Sequence, residues 1–163
     1  MRAFLVCGWE TSIIALSNDQ EIKRILSTFR VVAVVGMSRD VSKDSHRVPM
    51  YLRSAGYTII PVNPFAAEVA GMRSYARLDE IPEHIAKHIE IVDIFRPSED
   101  VPAIIEQALR LKRRFQKLQV IWMQLGITNE EAAAKATSEN LTVVMDRCMA
   151  SDHQRLLQGE RSA

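Results

Sequence analysis

Apolar residues follow two alternating patterns along this chain. Short unbroken runs end at glycine, proline or a polar residue, and between them apolar positions recur every three or four residues. Val31–Val35 is the first such run, and Gly36 closes it. An unbroken run marks a strand buried on both faces, since neither side meets water. Further strands are predicted at 58–64, 89–95, 118–123 and 141–145. Helical spacing fills the intervals. Asn18 or Ser17 caps a helix running to Phe29, with Ile22, Ile25, Leu26 and Phe29 on one face. Residues 46–55 form the next, with Val48, Leu52 and Ala55 inward and Gly56 as the stop. After a loop-rich stretch holding Gly71, a turn near Leu78–Ile81 and Pro82, Ser98 caps a helix to Phe115. That helix tolerates Pro102 in its first turn and turns Val101, Ile104, Ile105, Ala108 and Leu111 inward. Thr128 and Glu131 form a capping box for an Ala-rich helix to Glu139. From Ala150 the pattern is polar, which predicts a short helix that frays.

Strands alternating with helices at this spacing imply βαβ units joined by right-handed crossovers. The expected fold is α/β, a three-layer Rossmann-like arrangement of a five-stranded, mostly parallel sheet with helices on both faces. The 163 residues suit one domain. We expect residues 1–17 to be an N-terminal arm of uncertain structure, 18–155 the domain, and 156–163 a polar C-terminal tail. In such sheets a ligand lies beyond the carboxyl ends of the strands, near the point where strand order reverses. Those tips hold Gly36–Arg39, Val62–Pro64, Phe95–Pro97, Gln124–Gly126 and Asp146–Cys148.

Composition narrows the function. The net charge of +1 gives no general attraction to nucleic acid or to a membrane surface. No run approaches the roughly 18 apolar residues of a membrane-spanning helix. Cys7 and Cys148 make no CxxC pair, so a disulfide-stapled secreted fold is not expected. The expected location is cytoplasmic.

Any anion site must therefore arise locally, and the first strand-to-helix crossing supplies one. Gly36 permits a turn that a Cβ would hinder and lets a ligand approach the backbone. Ser38 adds a hydroxyl, Arg39, Lys43 and Arg47 add cations, and His46 adds a donor. Ser45 or Asp44 can cap the helix that follows, whose N–H groups favour an anion. The G-x-G-x-x-G dinucleotide fingerprint is absent, because this loop has one glycine. The second strand ends in Val62-Asn63-Pro64, without the acid that binds an NAD ribose. A more anionic nucleotide than NAD fits better, and NADP and coenzyme A both qualify.

Other residues carry weaker signals. Arg147 beside Cys148, with His153 nearby, makes a Cys/His nucleophile pair conceivable, but a partly buried thiol and an unrelated histidine explain them more simply. His84 and His88 are spaced i,i+4 without a metal motif. Asp93 and Asp146, at strand ends, are placed to orient Arg96 or Arg147. Trp122 and Met123 suit core positions, with Gln124 as a polar tip able to contact a ligand. Lys112, Arg113 and Arg114 suit a helix C-terminus, balanced by Glu99, Asp100 and Glu106.

The run VVAVVGMSRDVSKDSHRVPMYLRSAGYTIIPVNP resembles the opening of the small bacterial CoA-binding proteins. These are stand-alone Rossmann domains, similar to the N-terminal domain of the succinyl-CoA synthetase α subunit. The likeness continues through GMRSYARLDEIP, IVDIFRPSEDVPAIIEQAL and VIWMQLGITNEEAAAKATSENLTVVMDRC, over roughly residues 20–150. It implies coenzyme A as cofactor. Gly36, Met37, Ser38 and Arg39 would then form the phosphate loop, with Lys43, His46 and Arg47 meeting phosphate charge. Val62, Asn63 and Pro64 would flank the adenosine ribose, Phe95, Arg96 and Pro97 would border the pantetheine or adenine, and Gln124 would complete the set. The resemblance implies a binding protein for coenzyme A or an acyl-CoA without catalytic machinery of its own, with a homodimer or a further protein partner left open. The alternatives are an NADP-dependent oxidoreductase or redox sensor, and a scaffold whose site is vestigial.

Overall fold

A computed structural model describes residues 18–158; the arm expected over 1–17 lies outside them, as does 159–163. Helix α1 (Asp19–Thr28) leads into strand β1 (Val31–Val35), and helix α2 (Asp44–Ser54) into strand β2 (Thr58–Val62). A small hairpin follows, β3 (Glu68–Val69) and β4 (Met72–Arg73), then a 3₁₀ turn at Leu78–Glu80 and the single turn α3 (Glu83–Ala86). Strand β5 (Ile91–Ile94) passes through a 3₁₀ turn at Ser98–Asp100 into α4 (Val101–Phe115). Strand β6 (Val120–Met123), helix α5 (Glu130–Ser138), strand β7 (Thr142–Val144) and helix α6 (Met149–His153) complete the order, with a π turn over Gln154–Gln158.

The main sheet has the order β2-β1-β5-β6-β7, and every neighbouring pair is parallel. Its order reverses between β1 and β5. The chain leaves β1 for β2 on one side, and leaves β5 for β6 on the other. Right-handed crossovers then place α2 and α4 on opposite faces. The packing agrees. Val32 and Val34 of β1 join α1 and α2 in a cluster with Ile22, Val48, Leu52 and Trp122. Ala33 and Val35 join α4 and α5 in a second, with Ile105, Leu109 and Ala133. Alternate residues of one strand thus feed two cores, which is why the run lacks polar positions.

Sequence and structure differ in instructive places. The loop-rich stretch contains the β3–β4 hairpin, whose turn residues Ala70 (φ 51°) and Gly71 (φ 76°) are both left-handed, the geometry that two-residue hairpin turns need. Asn18 caps α1, accepting from Gln20 and Glu21. The expected Thr128–Glu131 box does not form: Asn129 caps α5 by accepting from Ala132, while Ser98 accepts from Thr128. Ser98 therefore spends its hydroxyl on a neighbouring loop and leaves α4 without a side-chain cap. The segment 150–158 is built into the fold, where a fraying helix was expected. Asp152 is buried and accepts two bonds from Arg147 and one from Arg155, and Leu156 and Leu157 pack on the core. Its charges satisfy one another, so a polar pattern occupies a buried position.

Candidate functional site

The turn after β1 is set by Gly36. Its φ of +90° is left-handed, and a Cβ there would lie 3.1 Å from Cδ of Arg96 and 3.3 Å from the Phe95 carbonyl carbon. Glycine is required twice, by the dihedral and by the close approach of the β5 tip. The Gly36 amide donates to the Val62 carbonyl and the Phe95 amide to the Val35 carbonyl, so the tips of β1, β2 and β5 are tied at this point.

Helix α2 then begins in an unusual way. Neither Asp44 nor Ser45 caps it, correcting the sequence expectation. Lys43 holds the N-cap position and accepts nothing through its side chain. The N–H groups of Asp44 and Ser45 have no partner among the described residues. Pro49 lies inside the helix and lacks the N–H that would bond Ser45 four residues earlier. The freed Ser45 carbonyl accepts instead from the Ser38 amide at 3.2 Å. A proline in the helix thereby folds the preceding loop down upon it. His46 reinforces the arrangement, with Nδ1 2.7 Å from the Ser38 carbonyl. That oxygen only accepts, so Nδ1 carries a proton and only the charged imidazolium also donates from Nε2.

The loop's charges divide into committed and open groups. Arg47 pairs with Asp44 at 2.5 Å. Arg39 and Lys43 are exposed and have no ion partner among the described residues. Asp40 is turned into the loop, accepting from the amide and hydroxyl of Ser42, and this hydrogen bonding holds its carboxyl below the usual range. Ser38 Oγ accepts from the Asp40 amide.

Three expected contact residues are buried. Met37 is a core side chain, and only its backbone borders the loop. Val62 is paired within the sheet. Gln124 is not a free tip. It is 3% exposed, donates to Asp93 at 2.7 Å and accepts from the Met149 amide at 3.4 Å. Asn63 has a bracing role that its sequence position did not suggest. Its Nδ2 donates to the Met37 carbonyl and its Oδ1 accepts from Phe65, fixing the β2 tip to the β1 tip. The expected orienting acids are also elsewhere. Arg96 pairs with Asp100 and Arg147 with Asp152, whereas Asp146 accepts from the Gly126 amide. Asp93 is fully buried on β5, and burial raises its carboxyl to about 7 against the Gln124 and Ile94 hydrogen bonds.

Two cavities open at the strand tips, one on each face of the sheet. Consecutive residues of the β5 tip divide them. Arg96 lines a 290 Å³ cavity on the α4 side, with Gly36, Pro64 and Arg77. Phe95 lines a 300 Å³ cavity on the α2 side, with Ser45, Gln124, Leu125 and Cys148. Arg77 was missed by the sequence reading, because the strand pattern ends well before it. Val41, Phe65 and Leu125, the exposed large apolar residues among those described, all lie on loops at this edge. Larger cavities lie elsewhere: one of 510 Å³ at the opposite edge near Arg30 and Ser54, and one of 580 Å³ along β2 near His84 and His88. Neither reaches Gly36. His153 is packed against Tyr51 and Tyr57, with Nδ1 2.8 Å from the Tyr51 hydroxyl. The α4 cations are paired, though not with the acids expected from sequence. Arg113 binds Glu139, Arg114 binds Glu83, and Lys112 donates to the Leu118 carbonyl.

The sequence model of one family, described as CoA binding domain, matches residues 30–154. The chain belongs to the CoA binding domain family. The matched span runs from the start of β1 to the end of α6, and includes every strand tip. The Bacillus subtilis (strain 168) protein YneT is 38% identical over 136 residues, covering 83% of this chain and 94% of YneT. A solved protein from Pyrococcus horikoshii OT3 is 35% identical with a TM-score of 0.78, covering 89% of this chain and 95% of that one. One from Thermus thermophilus is 34% identical with a TM-score of 0.76, covering 86% and 100%. These two solved proteins share this chain's fold across nearly their whole lengths. No helix among the described residues is long and apolar enough to cross a membrane.

Proposed function

We propose that this CoA-binding-family domain binds coenzyme A or an acyl-CoA across its strand tips, with the diphosphate over the start of α2. The observation that carries this is the uncapped first turn of α2 beside two uncommitted cations. α1 and α5 each begin with an asparagine cap, whereas α2 leaves the Asp44 and Ser45 amides open. Open N–H groups and the positive end of the helix favour an anion there. Arg39 and Lys43 supply charge without first breaking an ion pair, and Gly36 lets the ligand approach the backbone. The two flanking cavities give the rest of an elongated cofactor somewhere to lie. The residues form a binding site, and the binding reading needs no catalytic group.

Ligand-dependent melting tests this. A ligand that binds the native state alone raises the melting temperature. Coenzyme A is expected to stabilise the protein more than NAD or NADP does. Lys43→Ala is expected to weaken coenzyme A binding roughly fivefold, while Arg113→Ala, on α4, leaves it unchanged. Stabilisation by NADP with no response to coenzyme A contradicts the reading.

A further inference from the structure

The two tip cavities differ in their guanidinium groups, and the difference gives the cofactor a direction. The α4-side cavity combines apolar Val35, Val62, Ala76 and Ile104 with two guanidinium groups, Arg77 and Arg96, and two carboxylates, Glu99 and Asp100. The α2-side cavity holds Phe95, Leu125, Ile127 and Val48 with Asp44, and no cation among the described residues lines it. Coenzyme A is asymmetric in the same sense. One end is a purine nucleoside bearing a phosphate monoester, and the other is an uncharged pantetheine arm. Guanidinium groups match a phosphate with paired N–H donors.

We propose that Arg77, with Arg96, binds the 3′-phosphate of the adenosine in the α4-side cavity, so that the pantetheine arm crosses the Gly36 turn towards the α2-side cavity. This rests on the reading that the chain binds coenzyme A.

Chain path and ion pairing both support Arg77. Tyr75 forms a bridge to Val62 at the tip of β2, which brings Arg77 to the cavity wall two residues later. Arg77 is half exposed and donates to Asp79 at 3.0 Å. Arg110 holds the same carboxylate at 2.8 Å and is the larger cause of its lowered pKa. Arg77 can turn to a phosphate without stranding Asp79. Arg96 pairs with Asp100, which neutralises one of the two acids lining the cavity. Glu99 is the other and has no ion partner among the described residues. It opposes a phosphate, so Glu99→Gln tightens coenzyme A binding while acting less on dephospho-coenzyme A.

Calorimetric titration with coenzyme A and dephospho-coenzyme A is the test. The unmodified protein is expected to prefer coenzyme A roughly tenfold. Arg77→Ala is expected to bring the two affinities within about twofold, by weakening coenzyme A alone. Arg24→Ala, on α1, is expected to keep the preference. If coenzyme A binds and Arg77→Ala leaves the preference intact, or weakens both ligands equally, this assignment is overturned and the binding reading stands. If coenzyme A does not bind the unmodified protein, both fall.

Discussion

Asp93 shows how a single residue couples the sheet's interior to solution conditions. Its carboxyl is buried on the α2 face of β5; Oδ1 accepts from Gln124, and Oδ2 has no hydrogen-bond partner among the described residues. Burying a charge without full pairing is costly, so burial favours the protonated form and raises the group from 3.8 to about 7. Between those values the folded chain holds a proton that the unfolded chain has released. The stability this contributes is complete below 3.8 and is lost as pH rises towards 7. Urea unfolding is therefore expected to show stability falling from about pH 4 to about pH 7, and Asp93→Asn is expected to flatten that fall. Equal slopes for the two proteins contradict this account. Sequence spacing placed Asp93 at a strand end and suggested an arginine partner. It did not show that the next residues carry Arg96 away to Asp100, because side-chain direction alternates along a strand and the strand's last residue was not fixed by pattern.

At the scale of elements, the decisive features are the ones that break local rules. Helix α2 has a proline in its interior and no capping side chain, and both irregularities serve the loop before it. Pro49 frees the Ser45 carbonyl, which then holds Ser38. Pro49→Ala restores an N–H that competes for that carbonyl. Hydrogen exchange at the Ser38 amide is expected to accelerate more than about tenfold in this variant, with the later α2 amides still protected. Coenzyme A affinity is expected to fall with the loosened loop. Unchanged protection at Ser38 contradicts the role assigned to Pro49. The sequence made the helix and its cations legible, through Val48 and Leu52 on one face and Arg39, Lys43 and Arg47 before and within it. Its start was misplaced by two residues, since Asp44 and Ser45 look like ordinary caps. The open amides that make the site attractive to an anion are invisible until the cap is seen to be missing.

At the scale of the molecule, the alternation of apolar runs and helical periods was sufficient to give the five strands and the parallel sheet. These follow from burial on two faces and from the handedness of crossovers, which depend little on residue detail. The β3–β4 hairpin was not legible, because two-residue strands leave no period to detect. Arg77 was missed for the same reason: it reaches the strand tips through Tyr75 and that hairpin, not along a main strand. The residues at the edge now divide by role. Gly36, Asn63 and Pro49 shape it, Met37, Val62 and Gln124 are built into the core beneath it, and Arg39, Lys43, Arg77 and Arg96 carry its positive charge. Coenzyme A is therefore proposed to bind at this one edge of the sheet. Amide chemical-shift mapping during a coenzyme A titration tests that most directly. It is expected to give the largest changes at 36–47, at Asn63 and Phe65, and at Arg77 and Arg96. Changes centred on Ser27, Arg30 and Ser54 at the opposite edge, or no changes at all, would contradict it.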